Sequence, residues 1–381
     1  MDEVTIGVIG AGNRGETHSE AYAEVPGATV AAVADVDEDA AQRLAERYDV
    51  PQVYTDFREM LDDSGVDAVD VCVHNNLHRP MAVAAFEAGK HVFCEKPLAG
   101  SYADAKAIAD AAEAAGKHLG VQNETLLAPE TRGAKTFVDE GNLGEISYAR
   151  SVYSRRRGRP YVDGYGTPAF VSKESAGGGP VVDIGTYEIG RMLYLLDNPD
   201  VERVNGKTFE FYRDSYDESL VGPNTDVYEE RLDDSGFDVE DAGTGAARLA
   251  DGTRLEIRAA WHMYQSDERG AVVGSTGGIE LDPLEFHTTT NDYETTARID
   301  VDEYETRQGR LASERGYTSE RPTQFDHWIE TVRGDVDPIP TGDIALNSML
   351  VMEGIYLSDE LGREVSADEV VDHSESRSVD L

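Results

Sequence analysis

Lysine is scarce in this chain: only 7 of its 34 basic residues are lysine, against 75 acidic residues. The net charge of −41 is spread along the sequence instead of sitting in one tail. Such a field repels phosphate backbones, and "SRRRGRP" at 154–160 is the only basic cluster, which argues against nucleic acid as a partner. Cysteine is rarer still. Cys72 and Cys94 fall in apolar runs and read as small core residues in a reducing cytoplasm, not as a disulfide or a metal site. Apart from His74 and His78 of "HNNLH" the histidines show no metal spacing, and no acid cluster completes a site, so no catalytic metal is expected. Long apolar runs are missing too. Nothing approaches the roughly 20 residues that span a bilayer, and no basic stretch precedes the apolar run of "MDEVTIGVIG". The expectation is a soluble, unprocessed, cytoplasmic protein with no membrane partner. A surface that trades lysine for Asp, Glu and Arg stays hydrated in molar salt, where screening lengths shrink to about 3 Å, and implies a salt-accumulating halophile.

The 381 residues, 40% of them apolar, suffice for two or three domains with sizeable cores. "VTIGVIGAGNRGETHSEAYAEV" sets an apolar run before Gly10, Gly12 and Gly15 in G-x-G-x-x-G spacing, then helix formers. A second run, "ATVAAVADVD", ends in Asp35, twenty residues after Gly15. The glycines allow a tight turn and bring backbone N–H groups close to a pyrophosphate; Asn13 and Arg14 lie in that loop, and a carboxylate at Asp35 accepts from the adenine ribose and selects NAD over NADP. Strands and helices then alternate to about residue 123, the pattern of a doubly wound parallel sheet. Ligands of such sheets lie beyond the strand carboxyl ends. That rule places Asn75, Asn76 and His78 of "HNNLH", Glu95 and Lys96 of "EKP" and Asn123 of "QNE" on one rim beside the cofactor.

Past residue 123, "LLAPETRGAKTFVDEGNLGEI" reads as a helix over 129–140 stopped by Gly141. Two strands flank the Asp251-Gly252 turn. "RPTQFDHWIETVRGD" and "IALNSMLVMEGIYLSDELGREV" read as amphipathic helices, with Trp328, Met349 and Met352 in the core. The stretch 205–240, rich in Tyr, Asp and Glu, is the least legible, and "DSYDESLVGPNTDVYEERLDD" at 214–234 within it reads as a long acidic surface loop. "GGGPVVDIGTYEIG" reads as a mobile glycine hinge leading into Asp183 and Tyr187, an acid and a phenol one helical turn apart.

Three blocks, "GVIGAGNRG", "NNLHRPMAVAAFEAGKHVFCEKPLA" and "GGGPVVDIGTYEIG", resemble those of the glucose–fructose oxidoreductase, inositol dehydrogenase and rhizopine catabolism (Gfo/Idh/MocA) family, and "RRRGRP" resembles its substrate-loop motif. The resemblance covers nearly the whole chain. It implies an N-terminal Rossmann domain, 1–123, and a C-terminal α/β domain, 124–381, whose open and mainly antiparallel sheet covers the substrate cleft and supports a homodimer or homotetramer. Tyr187 stands where many members carry histidine, which resembles the branch of glucose–fructose oxidoreductase, aldose dehydrogenases and dimeric dihydrodiol dehydrogenase. "HNN" departs from a common T-P-N.

The chemistry implied is hydride exchange between a nicotinamide and an aldose, polyol or related sugar. Lys96 is informative where arginine is the default cation, because lysine can give up its proton. Tyr187 is expected to shuttle the hydroxyl proton while Lys96 lowers its pKa and Asp183 orients Lys96 or binds a hydroxyl. Arg156 and Arg157 are the expected substrate-side cations. Two other readings stay open at this point: an NAD-dependent glycosidase that oxidises its sugar transiently, and a non-catalytic nucleotide-binding regulator.

Overall fold

The computed structural model describes residues 3–156, 158–211, 231, 234–264, 269–301 and 323–381. Its first apolar run forms β1 (Val4–Ile9), buried along almost its whole length as a central parallel strand must be. β2 (Ala28–Ala34), β3 (Gln52–Tyr54), β4 (Ala68–Val71), β5 (His91–Cys94) and β6 (Leu119–Val121) join it in the order β3-β2-β1-β4-β5-β6, all parallel. The connecting helices are α1 (Asn13–Ala23), α2 (Glu38–Tyr48), α3 (Phe57–Asp63), α4 (Asn75–Glu87) and α5 (Tyr102–Ala115). Local chemistry sets their ends. The Asp37 side chain caps α2 through Ala40 N, Ser101 caps α5 through Asp104 N, and Gly116 closes α5 in the left-handed conformation.

The chain then runs through α6 (Pro129–Asp139), β7 (Ile146–Ser154), α7 (Lys173–Ala176), α8 (Pro180–Asp183) and α9 (Gly185–Leu195) into a second sheet. That sheet adds β8 (Val201–Phe209), β9 (Ala242–Leu249), β10 (Arg254–Ala260), β11 (Ala271–Gly274), β12 (Gly277–Glu280), β13 (Glu285–Thr290) and β14 (Tyr293–Arg298). The last elements are α10 (Gln324–Arg333), α11 (Thr341–Leu361), the short edge strand β15 (Val365–Ser366) and α12 (Ala367–His373). Strand order is β14-β13-β12-β11-β7-β10-β9-β8-β15, antiparallel except between β7 and β10. α9 packs on β7 and β10, and α11 on β8. On β10 Leu255, Ile257 and Ala259 are buried while Arg254 and Glu256 are exposed, the period-2 alternation of a sheet covered on one face.

The helices expected over 129–140 and in the last sixty residues are present, as is the hairpin around Asp251-Gly252, and Trp328, Met349 and Met352 are buried. The acidic loop expected over 214–234 lies almost wholly outside the described residues. In the wider stretch 205–240, residues 205–209 belong to β8, because their pairing with β9 extends to Phe209 and Ala242. α10 returns to the first sheet, 200 residues downstream of it in chain order. Phe325 packs edge-on against His18 (4.9 Å between ring centroids) and Trp328 lies 5.4 Å from Phe93. A Cβ at Gly120 would sit 2.8 Å from the Trp328 ring, so only glycine admits that helix.

The triple glycine is packed, which corrects its reading as a mobile hinge. Gly177 has φ +87°, and a Cβ there would meet the Gly100 carbonyl oxygen at 2.4 Å; at Gly178 it would meet the Tyr356 hydroxyl at 2.2 Å, and at Gly179 the Glu240 carbonyl oxygen at 2.1 Å. Three neighbours press on three residues that have no side chain to press back.

Candidate active site

The glycine loop fits a dinucleotide. Gly10 has φ +100°, and a Cβ on Gly15 would stand 1.9 Å from the Gly10 carbonyl oxygen, so both positions demand glycine. Gly12 faces open space and precedes α1, whose N-terminus has no side-chain cap, leaving backbone N–H groups free for an anion. Asp35, at the end of β2, accepts from Ala11 N at 2.6 Å and from Asp37 N at 2.9 Å. It therefore fixes the loop, and each carboxylate oxygen keeps a second lone pair. Asn13 and Arg14 lie exposed at the start of α1, with Arg14 Nε 3.4 Å from Glu95 Oε1.

Four strand-end loops meet beyond this cradle. A narrow cleft of about 50 Å³ is lined by Arg14, Asn75, Glu95, Lys96, Phe170 and Asp183, among others. Asn75 donates to Ala176 O at 2.8 Å and so ties the rim to the C-terminal half; the Asn76 carbonyl accepts from Val379 N at 3.1 Å. His78 is not on the cleft. It is fully buried, with Nδ1 3.0 Å from Pro97 O and Nε2 3.0 Å from Val73 O, so it braces the turn after β5 instead of touching a cofactor. Asn123 likewise serves the protein: its amide donates to Tyr187 O at 3.2 Å and its oxygen accepts from Thr125 Oγ1 at 2.7 Å. It positions Tyr187 through that backbone bond.

At the centre Lys96 Nζ donates to Asp183 O at 2.8 Å and to Asp183 Oδ1 at 3.1 Å, and lies 4.4 Å from the centroid of the Tyr187 ring. The other Asp183 oxygen accepts from Trp261 Nε1 at 2.9 Å. Asp183 ends α8 and Tyr187 lies in the first turn of α9, with Ile184 as the junction, so the single helical turn expected of them is a joint between two helices. Burial pulls the Lys96 ammonium down, but Asp183, then Tyr187 and Glu95, outweigh it and hold the pKa above the ordinary lysine value. Burial pushes the Tyr187 phenol up further than Lys96 and Arg14 pull it down. The expected lowering of the phenol by Lys96 is therefore outweighed, and both groups carry their protons at neutral pH.

Behind Lys96 stands a buried charge relay that the motifs did not reveal. Glu95 accepts from Lys96 N at 3.0 Å and from His18 Nε2 at 3.0 Å, while His18 Nδ1 donates to Asp70 Oδ2 at 2.9 Å. Burial alone would discharge His18; the Cys72 sulfur and the Asp70 carboxylate overturn that and raise its pKa well above the usual range. With its carboxylate committed to His18, Arg14 and the Lys96 amide, Glu95 orients those groups, and the direct cofactor contact expected of it gives way to that role. Arg156 is exposed, 5.8 Å from the Tyr264 ring centroid; Arg157 lies outside the described residues. Their neighbour Arg155, passed over in the sequence, donates to Tyr165 Oη at 2.8 Å and Tyr153 Oη at 3.1 Å. Strand parity was the available signal, since Tyr153 and Arg155 share a side of the extended chain.

A six-stranded Rossmann sheet, a glycine cradle with an acid at the end of β2, and a buried lysine at the end of β5 define an NAD-dependent oxidoreductase. Residues 4–123 match the Gfo/Idh/MocA oxidoreductase family, NAD-binding Rossmann fold, and residues 131–280 match the Gfo/Idh/MocA C-terminal domain. The chain belongs to that family. It is 31% identical over 290 residues to D-glucoside 3-dehydrogenase of Escherichia coli (strain K12), covering 75% of this chain and 79% of that protein. It is 28% identical over 371 residues to myo-inositol 2-dehydrogenase of Thermotoga maritima, covering 96% and 99%. In fold it matches levoglucosan dehydrogenase, solved with NADH and L-sorbose, with a TM-score of 0.77 over 96% of this chain and 99% of that one, at 22% identity.

Proposed function

We propose that the enzyme interconverts a hydroxyl and a carbonyl on an aldose, polyol or related sugar, with Lys96, Asp183 and Tyr187 managing the proton. When bound, NAD takes the hydride from the carbinol carbon, so that CH–OH and NAD⁺ become C=O, NADH and a proton. The observation that carries this reading is the Lys96 ammonium clamped by Asp183 at 2.8 and 3.1 Å, over the Tyr187 ring, on the rim that faces the glycine cradle. Two of its three protons go to Asp183, and the third remains for the reacting oxygen. Tyr187, also protonated, is the second donor to that oxygen. As held, the pair is set to give a proton to a carbonyl; in the oxidative direction one of them must first lose its own. Relatives named for a glucoside and for an inositol support sugars and cyclic polyols as the substrate class.

The test is a panel of aldoses, polyols and inositols with NAD and with NADP in molar KCl, followed by absorbance of the reduced cofactor. Net NADH from a free sugar is expected, with NAD preferred because Asp35 repels a 2′-phosphate. Release of nitrophenol from a nitrophenyl glycoside without net NADH would replace this reading by the glycosidase.

Residues 1–123 serve the cofactor and 124–381 the substrate in this proposal. The −41 charge supports a cytoplasmic protein of a halophile, which should melt at a lower temperature in dilute buffer than in molar KCl. The uncovered face of the second sheet supports a homo-oligomer; light scattering that gives a 41.5 kDa particle in high salt would remove that part.

A further inference from the structure

In a chain with 75 acids and 34 bases a guanidinium group has carboxylates to spare. Arg79 pairs with Asp104 at 2.9 Å, Arg203 with Glu364 at 2.6 Å, and Arg191 with Asp282 at 2.6 Å. Even within the loop after β7, Arg159 is paired with Asp163 at 3.0 Å. Arg155, Arg156 and Arg231 are held in another way. Among the described residues none of them has a carboxylate within ion-pair distance, and each is held by tyrosine instead. Arg155 takes the hydroxyls of Tyr165 and Tyr153 and lies 5.1 Å from the Tyr153 ring centroid. Arg156 lies over Tyr264 at 5.8 Å. Arg231 donates to Tyr161 O at 3.1 Å and lies 5.3 Å from that ring.

Tyrosine holds a guanidinium in place without neutralising it, because a phenol contributes a lone pair and a π-face but no net charge. A cation kept in position and left unneutralised, in a protein with acid to spare, is set for an anion that comes from elsewhere. The position of Arg155 says which site that is. Arg155 N donates to Ala260 O at 2.8 Å and Met263 N donates to Arg155 O at 2.9 Å, so its backbone brackets Trp261, whose indole holds Asp183. Asp183 is close enough for its charge to act on the Arg155 guanidinium. Arg155 therefore stands at the same sheet end as the Lys96–Asp183 pair.

We infer that the substrate is an anionic sugar derivative, with Arg155 as the residue that reads its charged group and its chain neighbour Arg156 assisting. The inference rests on the sugar oxidoreductase reading above and narrows it. A carboxylate, as in an aldonate or a uronate, and a phosphate ester share the required chemistry: a compact oxyanion that accepts from guanidinium N–H groups. The redox step is unchanged, since a secondary CH–OH elsewhere on the molecule yields its hydride to NAD and its proton through the Lys96 centre, while the anionic group takes no part in bond making. In molar salt the repulsion from the acidic surface is screened beyond about 3 Å, so these local cations decide affinity for an anion.

The experiment compares kcat/KM with NAD in molar KCl for glucose, gluconate, glucuronate and glucose 6-phosphate, in the parent enzyme and in the Arg155→Met, Arg155→Lys and Arg156→Met variants. At least one anionic sugar should exceed glucose by about tenfold or more, and whether gluconate and glucuronate or the phosphate ester leads identifies the oxyanion. Arg155→Met should raise KM for that substrate about ten- to a hundred-fold and reduce its preference over glucose by a similar factor; Arg155→Lys should recover part of it, and Arg156→Met should act in the same direction but less. Glucose preferred over every anionic sugar would overturn the inference and leave the sugar oxidoreductase reading standing. Equal losses on glucose and on the anion in Arg155→Met would also overturn it, by making Arg155 a packing residue. No reduced cofactor from any sugar, charged or neutral, would overturn both.

Discussion

Glu95 and Glu240 are buried to the same degree, 4% and 5% exposed, one in each half of the molecule, and they end in opposite states. For Glu95 burial pushes the pKa up, but the hydrogen bond and charge of His18, with Arg14 and Lys96, outweigh it and bring the value down to about 2. Glu240 has no such cation. It accepts from Tyr356 Oη at 2.7 Å, Gly179 N at 2.9 Å and Val181 N at 3.3 Å, and those neutral donors offset only part of the burial, which leaves it at about 7. In a dry site neutral hydrogen bonds do not replace an opposite charge. The Rossmann half places cations where a charged lysine must be oriented. The C-terminal half uses neutral donors where only the shape of the glycine turn has to be kept.

The largest expected effect comes from removing the cation nearest the chemistry. Lys96→Met should lower turnover by roughly 10²–10⁴, and Tyr187→Phe by a comparable factor, while NAD binding followed by fluorescence survives in both. The double variant should be little worse than the poorer single one, since both act on one proton. Because both pKa values are raised, the rate of sugar oxidation should climb on the alkaline side as one group loses its proton, and the rate of carbonyl reduction should fall there. Additive losses, or an oxidation rate that is flat from about pH 7 to about pH 10, would separate the two residues.

His18→Asn tests whether charge is what separates the two glutamates. It leaves Asp70 and Glu95 buried without their cation, a loss of about 3–5 kcal/mol, read as a lower melting temperature at neutral pH. A depressed pKa contributes stability that is present above the ordinary value of 4.5 and is lost as pH falls through about 2. Without His18 that window moves, and acid unfolding should begin at a higher pH than in the parent. An unchanged melting temperature together with an unchanged acid midpoint would mean that Arg14 and Lys96 suffice.

What the sequence conveyed follows how local each cause is. The strands and helices of the first 123 residues were legible because apolar runs, caps and glycine spacing act over a few positions. Lys96, Asp183 and Tyr187 were legible because two short motifs announce them, although 87 positions separate the lysine from the acid it holds. The triple glycine misled for the opposite reason. Its freedom is written locally, whereas the atoms that remove it, from Gly100, Glu240 and Tyr356, come from three other parts of the chain. His78 was placed on the cofactor rim by proximity to a strand end, a rule that locates a backbone but not the direction of a side chain. His18 sits in plain helix sequence, and nothing there signals that Asp70 and Glu95 converge on it. Arg155 lay inside a quoted motif and was passed over in favour of its neighbours.

The smallest expected effect reverses the sign of the His18 experiment. Glu240 has its folded pKa raised from 4.5 to about 7, so the stability it contributes is fully present below about 4.5 and is lost as pH rises through about 7. The parent should therefore lose stability between about pH 5 and pH 8, on the order of a few kcal/mol at most and read as a falling melting temperature, as a proton leaves a carboxyl with no cation beside it. Glu240→Gln keeps an acceptor for Gly179 N and cannot ionise, so its melting temperature should vary less over that interval and exceed the parent's at the alkaline end. Tyr356→Phe is the companion variant: it deletes one neutral hydrogen bond, worth about 1 kcal/mol, and should leave the pH dependence in place or steepen it, because Glu240 is then still less able to carry charge. If Glu240→Gln retained the parent's full pH dependence, some other group would be titrating there, and the contrast between the two glutamates would lose its second member.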